Sequence, residues 1–120
     1  MSKDNHIEEK KIRQLHDEAM DLSEEGFFAR RQKDEAKATE FFKKAFEKEK
    51  EAAMLLEDKH ECEPTRGVMF RSAAWLGIDG GLLDEAEEMV LKGLQGKKLH
   101  GEIHDELKEA LEEIIKRKSA

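Results

Sequence analysis

Asp34-Glu35-Ala36-Lys37-Ala38-Thr39-Glu40-Phe41-Phe42-Lys43-Lys44-Ala45-Phe46 decides the fold, because its pattern returns at Leu82-Leu83-Asp84-Glu85-Ala86-Glu87-Glu88-Met89-Val90-Leu91-Lys92-Gly93-Leu94. Each stretch has a small residue, an apolar residue four later, and a small residue three after that. These are Ala38, Phe42 and Ala45 in the first copy and Ala86, Val90 and Gly93 in the second. Steps of three and four place them on one face of a helix.

Outward from these stretches the chain reads as helix throughout. Ile12, Leu15, Ala19, Leu22, Gly26 and Ala29 form one stripe, which predicts a helix over about 5–31. Gly26 weakens that helix relative to Ala, so it is expected to mark a close helix–helix contact. After the polar break at Gln32, Lys33 and Asp34, the first copy opens a second helix, expected over about 35–60. Pro64 is the only proline and is tolerated in a first helical turn. It ends that segment and opens a third helix, with Glu63 or Thr65 near the cap. Asp79-Gly80-Gly81 is a turn signal, and the second copy follows as the fourth helix, with Gly96 as its expected C-terminal cap. Ile103, Leu107, Ala110, Leu111, Ile114 and Ile115 make a fifth helix over about 101–117. Short connections favour antiparallel neighbours.

The small–apolar–small spacing resembles the second helix of a tetratricopeptide repeat. The family's small residue on the first helix falls at Gly26 and Ala74, and its bulky residue at Leu22 and Phe70. Its turn glycine is matched by Gly81, whereas the first copy has Lys33. The aromatic on its first helix is replaced by Ala29 and Gly77. The copies stand 48 residues apart, from Ala38 to Ala86, against a family repeat of about 34. The excess of about 14 is expected in an overlong second helix, over 47–61. Glu63-Pro64-Thr65-Arg66-Gly67-Val68-Met69-Phe70-Arg71-Ser72-Ala73-Ala74-Trp75-Leu76 also resembles bacterial proteins with such repeats, and it implies no activity. The resemblance implies an all-α, right-handed superhelix of antiparallel hairpins in a single domain over 1–120. Repeat one would cover about 5–61, repeat two about 64–95, and a capping helix about 101–117.

Composition narrows the function classes. Charged residues are 42% of the chain, but 29 acids face 22 bases and the apolar residues are periodic, so the charge reads as solvated helix faces rather than disorder. The net charge of −7 disfavours broad nucleic-acid binding. No apolar run is long enough for a membrane span, and the first residues lack the apolar core of a signal peptide. The expected location is cytoplasmic. Cys62 is the only cysteine and has no disulfide partner in the chain.

Chemistry-bearing motifs are sparse. His100 and His104 have metal-ligand spacing, but Gly101 stands where a zincin has Glu, and it is expected to start the helix with His100 outside. Glu57-Asp58-Lys59-His60 is a single Glu-x-x-His, and a di-iron bundle needs two. His60-Glu61-Cys62 supplies too few ligands for a metal. Cys62 has no activating motif. Gly80-Gly81 lacks the Lys-Ser/Thr of a phosphate loop. No catalytic, cofactor or metal residues are therefore assigned. The resemblance implies instead a concave groove lined by first helices. Its positions are Ser23, Phe27, Arg30 and Arg31, then Arg71, Trp75 and Ile78, with Arg66 at the rim. Four of the six arginines and the only tryptophan fall there, and such residues anchor interfaces. The expected function is a protein–protein interaction module holding an acidic or extended peptide, with binding weakened by salt. The alternatives are a self-assembling structural protein and, less favoured, a metal enzyme using His60, His100 and His104.

Overall fold

The computed structural model describes residues 3–120, with side chains from Glu8 onward. Five helices follow one another: α1 Lys3–Arg31, α2 Glu35–Met54, α3 Thr65–Asp79, α4 Leu83–Leu94 and α5 Gly101–Lys118. A short 3-10 turn, His60–Cys62, sits between α2 and α3. No strand occurs among the described residues.

Neighbours in sequence pack as neighbours in space, and the residue pairs give their directions. Glu8 meets Lys59, Lys11 meets Glu51 and Glu18 meets Lys48, so α1 and α2 are antiparallel. Phe46 lies against Gly77 and Lys43 against Gly80, so α2 and α3 are antiparallel. Gly77 against Ala86 and Phe70 against Gly93 give the same for α3 and α4. Gly93 against Leu107 and Asp84 against Lys118 extend it to α4 and α5. Thus α1, α3 and α5 point one way, and α2 and α4 the other. The apolar stripe of each helix closes a single core. Ala38, Phe42, Ala45, Ala86 and Val90 are all buried in it. In the middle, α3 is buried on most of its sides, from Met69, Phe70, Ala73 and Ala74 to Leu76 and Ile78.

The two copies share their turns bond for bond. Asp34 N–H donates to Ala29 O at 3.0 Å, and Leu82 N–H to Gly77 O at 2.8 Å. Lys33 N–H donates to Arg30 O at 2.9 Å, and Gly81 N–H to Ile78 O at 3.1 Å. Each pair of bonds closes a helix with a left-handed residue: Lys33 at φ 63° and Gly81 at φ 75°. Lys33 therefore has the same left-handed backbone as Gly81 in the second copy. Asp34 adds a side-chain cap by accepting from Lys37 N–H at 3.1 Å.

Two expectations change, and one at Gly26 holds. The second helix stops at Met54 rather than near 60. It has 20 residues against 12 in α4, so only part of the extra length is helix; the rest is the turn through 55–58 and the 3-10 turn. Gly96 is not a left-handed cap, since Gly81 is the only glycine with positive φ among the described residues. Gly96 is required for space: a Cβ there would lie 2.6 Å from Glu63 Oε2 and 2.8 Å from Arg66 Nη1. Gly26 does mark a close contact, with Phe42 ring atoms 2.9 Å from where its Cβ would be.

Candidate functional site

A helical face repeats every three to four residues, so Arg71, Trp75 and Asp79 share one stripe of α3. Arg71 reaches α5, with its Nη1 donating to Glu106 Oε2 at 2.5 Å. Asp79 reaches α1, accepting from Arg30 Nη2 at 3.4 Å. Trp75, between them, is 36% exposed. This stripe therefore faces solvent between α1 and α5. Phe27 on α1 holds the place equivalent to Trp75, 48 residues earlier, and is 43% exposed. Its ring sits edge-on to Phe42 with centroids 5.0 Å apart. The Arg30 guanidinium lies 4.8 Å from the Phe42 centroid and 5.6 Å from that of Phe27. Phe27, Arg30, Arg71 and Trp75 thus belong to one connected surface, with two aromatic rings set among two ion pairs.

Arg66, Ile78 and Ser23 lie elsewhere. Arg66 is 1% exposed and cannot stand at a rim. Its Nε donates to Glu57 O at 2.8 Å, Nη2 to Lys92 O at 2.7 Å, and Nη1 to Gly93 O at 3.1 Å and to Glu63 Oε2 at 3.3 Å. It therefore adds a second donor to two carbonyls of the last turn of α4, Lys92 O and Gly93 O, which also accept from Gln95 and Gly96 N–H, while stacking over Phe70 at 5.0 Å. Ile78 is buried core, and Ser23 is nearly so, donating to Met20 O. Arg31 is exposed and shares a surface depression with Phe27, Phe28, Glu24 and Glu25, so it stays beside Phe27.

The metal-ligand candidates are dispersed. Glu57 pairs with Lys92 at 2.6 Å, and His60 Nδ1 accepts from Lys97 N–H at 3.3 Å. His100 caps α5 from outside it, and His104 is exposed beside Asp105. No cluster of three possible ligands occurs among the described residues. Burial and the charge of Glu61 push the Cys62 thiol up, so it stays protonated.

One polar constellation escaped the sequence reading. Glu49 is wholly buried. Its carboxylate accepts from His16 Nδ1 at 2.9 and 3.0 Å and from Ser72 Oγ at 2.5 Å, joining α1, α2 and α3. Burial raises the Glu49 carboxyl above its ordinary value, and the bonds from Ser72 and His16 oppose that rise. The available signal was its phase: Glu49 falls four residues after Ala45 on the apolar stripe, where a charge needs partners.

No family model, curated protein or solved structure matches the chain. Among the described residues, no helix is long and apolar enough to cross a membrane.

Proposed function

We propose that the chain is a tetratricopeptide-like module whose α1–α3–α5 surface binds an extended segment of a protein partner. One observation carries the reading. The two copies expose a large aromatic at equivalent places, Phe27 and Trp75, whereas their matched small–apolar–small residues, Ala38, Phe42 and Ala45 and Ala86, Val90 and Gly93, are buried. Exposed aromatics ringed by polar groups suit a binding surface, and Trp and Arg are the common anchors of interfaces. The resemblance of 63–76 would make this a bacterial, cytoplasmic protein.

The ligand's character follows from the charge already present. Arg30 and Arg71 are paired with Asp79 and Glu106, and Arg66 is unavailable. Apolar side chains of the ligand therefore supply most of the affinity, and its acidic groups compete with the resident carboxylates. Salt dependence is accordingly shallow, because exposed pairs contribute little.

Selection of extended peptides from a displayed library tests this. Trp75→Ala should weaken a selected peptide by about 2 kcal/mol, roughly thirtyfold. Lys108→Glu, on exposed surface of α5, should leave it unchanged. Peptides that bind the Phe27→Ser, Trp75→Ala double variant as well as the wild type would defeat the reading. Self-assembly is the competing reading, favoured by Phe28, Leu91 and Ile115, which are about half exposed outside this surface at 54%, 47% and 55%.

A further inference from the structure

A groove of about 520 Å³ opens between the first half of α1 and the start of α3. That volume is in the range of small-molecule sites. Ile12, Leu56 and Met69 give it apolar walls, His16 lines it, and Arg13 and Glu9 stand at its edge. Ile12 lies 15 residues before Phe27 on α1, about 22 Å away along the helix. The groove is thus separate from the aromatic surface, and the inference does not depend on the peptide-binding reading.

His16 is built into this groove, not merely placed at it. A carboxylate accepting at Nδ1 assigns the proton to that nitrogen, fixes the ring orientation and leaves the other nitrogen as an acceptor. Glu49 does this from a wholly buried position, with Ser72 Oγ holding it from the far helix. An apolar residue would fill the same place on the α2 stripe without the cost of burying a charge. With Nδ1 held by Glu49, Nε2 is the ring nitrogen left to a ligand on a half-exposed side chain that lines the groove. Arg13 and Glu9 border the groove with opposite signs, and Glu63, also in its lining, is neutralised by the buried Arg66, so neither an anion nor a cation is preferred.

We propose that this groove binds an uncharged phenolic small molecule, with its ring against Ile12, Leu56 and the Met69 thioether and its hydroxyl donating to His16 Nε2. The thioether favours an aromatic ring over an aliphatic chain, and the acceptor selects a hydroxyl over an ether.

NMR titration of the full chain with p-cresol and with its methyl ether, 4-methylanisole, tests the proposal. p-Cresol should move the Met69 methyl and His16 ring signals saturably and bind about tenfold more tightly than the ether. His16→Phe, checked for helicity by circular dichroism, should bind both weakly and equally. Should that variant not fold, Glu49→Gln serves, and it should narrow the preference by loosening the ring. Equal affinity of the wild type for the two probes would overturn the proposal. So would shifts confined to other surfaces, no saturation at millimolar concentration, or a preference that survives both substitutions.

Discussion

Two buried charged side chains hold this molecule together by different physics. Arg66 exchanges its hydration for three carbonyls and the Glu63 carboxylate. Its loss would leave the buried Glu63 carboxylate without its cation, while Lys92 O and Gly93 O would keep only their backbone donors. Arg66→Ala should therefore cost about 3–5 kcal/mol in urea unfolding; a loss below about 1 kcal/mol would mean the carboxylate finds another partner. Glu49 behaves differently because desolvation is the largest influence on it. Its folded value lies above its ordinary value of 4.5, so its contribution is fullest below that pH and is lost as pH rises through the folded value. Glu49→Gln resembles the protonated form at every pH. Its urea midpoint should gain on the wild type between about pH 4 and about pH 7, and a gap that narrows or stays constant over that range would contradict the assignment. The structural role of neither residue was legible beforehand, Arg66 being expected at the rim of the groove. Arg66 reads as one more surface arginine until the end of α4 is folded over it, and a single Glu on an apolar stripe does not name its partners.

At the scale of elements the sequence was informative where periodicity and turn chemistry agree. The matched small residues sit where helices approach closely: at Gly77 a Cβ would come within 3.0 Å of Ala86 Cβ. Ala38→Leu and Ala86→Leu should each destabilise by about 1–3 kcal/mol through overpacking, and unchanged thermal stability in both would remove these alanines from the crossings. The turns give a complementary expectation. Lys33 occupies a left-handed conformation that glycine adopts without strain, so Lys33→Gly should stabilise by about 0.5 kcal/mol, whereas Gly81→Lys should cost about 1 kcal/mol. A differential scanning experiment that reverses the order would separate the two turns. The end of α2 was misread because Leu55 and Leu56 continue the apolar spacing of Ala52 after the helix has stopped at Met54. Leu56 is buried from within a turn, and apolar periodicity cannot distinguish these cases. The first-helix stripe of α3 was read one residue too broadly: Ile78 turns inward, while Arg71, Trp75 and Asp79 keep the outer face.

For the whole molecule, five helices run in alternating directions, and the Arg30–Asp79 pair links the exposed Phe27 side of α1 to the Trp75 stripe of α3. The residue types there were visible in the sequence; their pairing with Asp79 and Glu106 was not, because those acids come from 49 and 35 residues away. Light scattering over a concentration series separates the two readings of the exposed apolar residues. A monomer at every concentration removes self-assembly, whereas a dimer lost on Phe27→Ser would assign the surface to a second copy. The most direct test uses the fact that Trp75 is the only tryptophan, so intrinsic fluorescence reports on this surface alone. Titration with a library-selected peptide should shift the emission to the blue and saturate in step with binding measured independently by anisotropy of a labelled peptide. A peptide that binds by anisotropy while the Trp75 emission stays unchanged would place the binding surface elsewhere and contradict the account.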